Sequence, residues 1–103
     1  MVALFDLAAS VVPAYIGQTE HLICGVTKNI SADWMYQEVT NAQRHKISVN
    51  GSLGNDHSDR YTIEESSLII NEVRTSDAGM YICGHNSQLY HKLQLNVFGV
   101  YFR

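Results

Sequence analysis

The side chains in this 103-residue chain that could do chemistry are five histidines, two cysteines, ten carboxylates and a scatter of serines. A metal site needs histidines or acids at ligand spacing on one element. His21, His45, His57, His85 and His91 show no such spacing. Only His85 and His91 fall where a hairpin would bring them near each other. Nucleophilic catalysis needs a hydroxyl or thiol beside a base. No Ser-His-Asp arrangement is readable, no Gly-x-Ser-x-Gly occurs, and no glycine-rich phosphate loop is present. Neither metal nor cofactor is expected, and the chain reads as a non-enzyme. Cys24 and Cys83 stand 59 positions apart, which by spacing alone suits either two buried thiols or a cross-link.

What must position these residues is a set of short strands. Apolar stretches of four to eight residues alternate with turn chemistry along the whole chain, a sandwich or barrel pattern. Val2 to Leu7 and Val11 to Ile16 read as a broken first strand, with Pro13 demanding an edge position. Further strands are expected at His21–Cys24, Ala32–Glu38, His45–Val49, Arg60–Ile63, Ser67–Glu72, Gly79–His85 and Tyr90–Phe98. Asn50-Gly51 signals a two-residue hairpin. Gly54 to Ser58 reads as a short edge plus loop. In the last strand Leu93, Leu95 and Val97 alternate with Gln94 and Asn96, the period of a half-buried strand.

Composition bounds the rest. The chain is 46% hydrophobic with a net charge of −3, enough apolar residues for one domain and too few clustered cations for nucleic acid. Residues 1–103 read as a single domain with its core over about 7–98. Residues 99–103 read as linker or leftover sequence. No apolar run reaches membrane-spanning length and no signal peptide opens the chain, so any membrane attachment is expected from segments outside it. Asn29-Ile30-Ser31 and Asn50-Gly51-Ser52 are glycosylation sequons.

One combination is more specific. Trp34 lies ten residues after Cys24, and Asp77-Ala78-Gly79-Met80-Tyr81-Ile82-Cys83 places a tyrosine two residues before the second cysteine. The chain thereby resembles immunoglobulin-superfamily domains, with a Cys…Trp…Tyr-x-Cys frame. The resemblance implies an all-β Greek-key sandwich of two antiparallel sheets and a Cys24–Cys83 inter-sheet disulfide. It further implies Trp34 packed on that disulfide, Tyr81 as a corner tyrosine, and an Arg60–Asp77 ion pair. Gly79 fits a position where a side chain would crowd the corner. The 49 positions from Trp34 to Cys83 leave room for extra strands, so the variable type (V-set) is the closer likeness, with short C′ and C″. Phe98-Gly99 gives only the first half of the Phe-Gly-x-Gly of rearranging receptors, and it comes after the strand alternation, which argues against an antibody or T-cell-receptor domain.

The resemblance also implies a G-F-C-C′ sheet, formed by the strands at Tyr90–Phe98, Gly79–His85, Ala32–Glu38 and His45–Val49. With Cys24, Trp34 and Cys83 inward, parity sends Met35, Gln37, Met80, Ile82, Gly84, Tyr90 and Lys92 to its outer face. Met35, Ile82 and Tyr90, with Met80 nearer the end, are expected as an exposed apolar patch of the sort that marks interfaces. Glycans on Asn29 and Asn50 would shield the loop tip and leave that face free. The expected role is an extracellular recognition domain of a cell-surface immune-type or adhesion receptor. It would bind a protein, or its own copy as a homodimer, with no small-molecule substrate. A spacer domain in a multidomain adhesion or matrix protein, or a secreted humoral recognition protein, are the alternatives. Glu20, four positions before Cys24, is a charge at an inward position.

Overall fold

A computed structural model describes residues 9–24, 32–38, 43–49, 51–54, 59–85 and 88–99, and for 88–90 the backbone only. The strands are β1 (Ser10–Tyr15), β2 (Glu20–Leu22), β3 (Asp33–Gln37), β4 (Arg44–Val49), β5 (Ser52–Leu53), β6 (Tyr61–Glu64), β7 (Ser67–Ile70), β8 (Gly79–His85) and β9 (Gln88–Phe98). They form a six-stranded sheet in the order β1-β9-β8-β3-β4-β5 and a three-stranded sheet in the order β2-β7-β6. This is an immunoglobulin-like β-sandwich. The expected strand at Val2–Leu7 and the residues at 55–58 and 100–103 lie outside the described residues.

Alternation explains which side of each strand is buried. Leu22, Leu68, Ile70, Tyr81, Cys83, Leu93 and Leu95 meet in one core with Trp34, and Tyr36, Ile63 and Val97 pack against it. Sequence parity missed Ile47. It occupies a register shift opposite Trp34 and Met35, where a bulge turns it into the core beside Ser48.

Edges are handled by composition. β1 runs parallel to β9 at the sheet's edge, and Pro13 sits opposite Asn96 where no outer ladder needs its donor. Gly17, at φ 90°, turns the chain toward β2, and its N–H donates to the Val73 carbonyl at 2.9 Å. Val49 pairs with Ser52 across a two-residue connection in which Gly51 has φ 80°. The fifth strand therefore begins at Ser52, just after the turn, and not at Gly54 as expected. Tight hairpins continue their ladder at once.

The interior frame is complete in its hydrogen bonding. Cys24 and Cys83 are bonded, with Cα atoms 5.8 Å apart. The Trp34 indole N–H donates to the Ser66 carbonyl at 3.1 Å. The Tyr81 hydroxyl donates to the Asp77 carbonyl at 2.8 Å, which makes the tyrosine corner. Asp77 closes the turn at Thr75–Asp77: its carboxylate accepts from the Arg74 N–H at 2.7 Å and from the Arg60 guanidinium. Arg60 also donates to the Glu72 carbonyl at 2.8 Å. Among the described residues, no buried side-chain polar atom lacks a partner. That is the condition for a polar cluster in a core to stabilise the fold.

Candidate binding face

Sheet β9-β8-β3-β4 presents its outer side through residues of one parity. Register places Met35 opposite both Ile82 and Lys46, Ile82 opposite Lys92, Gln37 opposite Met80 and Arg44, and Met80 opposite Gln94. The sequence parity is thus realised: Met35, Gln37, Met80, Ile82, Gly84 and Lys92 share this face, and Ile82 is absent from the core cluster. The Tyr90 side chain lies outside the described residues.

Exposure differs from the expectation. Ile82 is 0% accessible, so it is not part of an open apolar patch. It occupies the middle strand of the face, with Met35 and Lys92 directly opposite on either side. Cross-strand neighbours approach within about 5 Å, and long flexible side chains close over a β-branched residue between them. Gly84 is buried too, while Met35, Gln37, Met80 and Lys92 are half-buried. The face therefore has a covered apolar floor and a mixed polar surface.

Arg44 and Lys46 belong to this surface; β4 begins at Arg44, one residue before the strand expected at His45–Val49. Both are exposed. The Arg44 Nε donates to Gln37 Oε1 at 2.9 Å, which holds the guanidinium over the sheet. Toward the other end, Gln94 Nε2 donates to Asn96 Oδ1 at 3.3 Å. Gln37, Glu38, Met80, Gln94 and Asn96 line a shallow cleft of about 290 Å³ there, with Gly79 at its base. Gly79 has φ 147°, and a Cβ on it would stand 2.8 Å from the Tyr36 ring, whose hydroxyl donates to the Ala78 carbonyl at 2.7 Å.

A second cleft, of about 500 Å³, opens between β1–β9 and β2, lined by Val12, His21, Ile23, Cys24, His91 and Leu93. The ladder sets His91 opposite Cys83 and His85 opposite Gln88, so the two histidines do not face each other. His45 instead pairs with Glu38 and stacks on Tyr36. His57 lies outside the described residues, and among those described no cluster of three metal-ligating side chains occurs. Burial pushes the phenols of Tyr81, Tyr61 and Tyr36 upward in pKa, so they remain neutral hydrogen-bond donors at physiological pH. Burial also raises the Glu20 carboxyl, with the neighbouring His21 acting in the opposite direction. Asn29 and Asn50 lie outside the described residues.

Comparison with known proteins agrees on architecture. No family model matches the chain. No curated protein matches it either. Among solved structures, Drosophila Semaphorin 2a aligns with a TM-score of 0.68 at 21% identity over 92% of this chain. The chain spans 15% of that protein's length. A chain from the ZIG-8-RIG-5 IG1-IG1 heterodimer aligns with a TM-score of 0.65 at 12% identity, covering 95% of this chain and 90% of that one. At such identities the likeness is one of fold.

Proposed function

We propose that this chain is an extracellular protein-recognition domain of a cell-surface receptor of the immune or adhesion type, and that it binds through the outer face of β9-β8-β3-β4. The observation that carries this reading is the surface built over Ile82. There Met35 and Met80 are accessible among Gln37, Gln94, Asn96, Arg44, Lys46 and Lys92, while the structural frame behind them is self-sufficient. Adaptable methionines ringed by amides and cations suit protein contact, and the interior frame is hydrogen-bonded without drawing on them. In the ZIG-8-RIG-5 IG1-IG1 heterodimer the fold serves pairing between two proteins, which supports a protein partner here. A disulfide supports an oxidising, extracellular location.

Asn29 and Asn50 are proposed as glycan sites at the loop end. Mass spectrometry of protein secreted from animal cells, with both asparagines bare, would remove that part. The face is tested by presenting the clustered chain to a panel of cells displaying receptor ectodomains. Met35→Glu and Met80→Glu are expected to abolish binding, while Glu64→Lys on the opposite sheet leaves it intact. If all three bind alike, the face is not the site. The domain is then better read as a spacer or as a secreted protein that recognises through its loops.

A further inference from the structure

Charge is divided between the two sides of the sandwich. The chain carries a net charge of −3, yet among the described residues the outward positions of β9-β8-β3-β4 hold Arg44, Lys46 and Lys92 against the acid Asp33, with Glu38, just past β3, paired with His45. That places on one face three of the five Lys and Arg among the described residues. On the three-stranded sheet and its turns the balance reverses. Asp59, Glu64, Glu65 and Glu72 are exposed there against Arg74, and the Arg60 guanidinium is engaged by Asp77. Face-to-face sheets lie about 10 Å apart, and outer side chains add to that separation. Physiological salt screens over about 8 Å, so each side presents its own sign to an approaching partner.

We infer that the occupant of the β9-β8-β3-β4 face is an acidic surface on a different protein, and not a second copy of this chain. The inference rests on the reading of that face as the binding site. Pairing two copies about a two-fold axis would bring Arg44, Lys46 and Lys92 of one toward the same residues of the other, an arrangement of like charge. The apolar contact that could offset this repulsion is reduced to the half-buried methionines, because Ile82 is covered. An acidic partner meets the three cations favourably, and the half-buried Met35 supplies the apolar contact between them. Gln37 contributes by holding Arg44 at 2.9 Å, which fixes a bidentate donor at the edge of the site.

The test uses the clustered chain on the same ectodomain-displaying cells, with sedimentation of the chain alone alongside. Binding is expected to fall about tenfold between about 0.05 M and about 0.5 M salt, as steering and pairing by exposed charges are screened. The triple variant Arg44→Glu, Lys46→Glu, Lys92→Glu is expected to lose binding. The double variant Arg44→Glu, Lys46→Glu, confined to exposed positions, is expected to lose most of it with an unchanged thermal melt. A Glu64→Lys, Glu65→Lys variant should bind as the parent does. Loss of binding with Met35→Glu, but none with either charge reversal or with salt, overturns the acidic partner and leaves the face standing. Binding abolished by enzymatic removal of cell-surface glycosaminoglycan, and spared by protease, assigns a polyanion and overturns the protein. A dimer of the chain alone that the triple variant disrupts overturns the exclusion of a second copy. No binding under any condition overturns both this inference and the proposed function.

Discussion

Ile82 and its neighbours Tyr81 and Cys83 on β8 are all fully buried, yet they answer to different causes. Tyr81 and Cys83 face the sandwich, where two sheets and a disulfide exclude water whatever the neighbouring rotamers do. Ile82 is absent from that core and faces outward, with Met35 and Lys92 directly opposite it in the ladders. The inner side is closed by packing between two sheets, whereas the outer side has no second sheet over it among the described residues. A partner can therefore reach the outer side and not the inner one.

The disulfide gives the largest contrast. Replacing Cys24 and Cys83 by serine releases a 59-residue separation and should cost about 4 kcal/mol through loop-closure entropy. Denaturant titration should show this loss, and a loss below about 1 kcal/mol would mean that the sandwich closes its inner side without the cross-link. Gly79→Ala comes next, at about 3 kcal/mol, from a strained φ of 147° and the 2.8 Å approach to Tyr36. Its midpoint shift should exceed that of any substitution on the outer face.

Ile82→Ala is expected to cost about 2 kcal/mol against about 4 for Leu68→Ala, although both residues are fully buried. Met35 and Lys92 can collapse into the space at Ile82, whereas the core around Leu68 cannot. Equal losses in paired denaturation curves would erase the distinction between the two sides. The smallest effect belongs to Glu20→Gln, a gain at pH 7 that solvent screening keeps well below about 1 kcal/mol. Burial raises the folded carboxyl above its unfolded value, so the folded state holds its proton more tightly. Stability from Glu20 is present below the unfolded pKa and is lost as pH rises through the folded one. The advantage of glutamine should accordingly vanish in acid, and a gain that persists at low pH would assign it to something other than charge.

Much of the frame was legible in the residues. Trp34, Tyr81, Asp77 and Arg60 are large or charged groups with one workable surrounding each, and their spacing is tied to strand period. Pro13 marked an edge because it lacks a donor, and Asn50-Gly51 marked a hairpin because of the φ that its glycine allows. The outer face was legible only as parity. Period two tells which side Ile82 takes, but it carries nothing about what lies over it. Arg44 escaped because β4 begins one residue before the expected strand, and Lys46 because the bulge near Ile47 breaks the β4 parity and leaves no sequence mark.

The chain by itself determined the alternation, the turns and the fully bonded interior frame, since these follow from backbone geometry and from the cost of burying unpaired groups. Tertiary structure alone decided that Ile82 is covered and that Arg44, Lys46 and Lys92, far apart in sequence, share one face. Both depend on which strands lie side by side and in what register, and adjacency between distant segments arises only when the sheet is assembled.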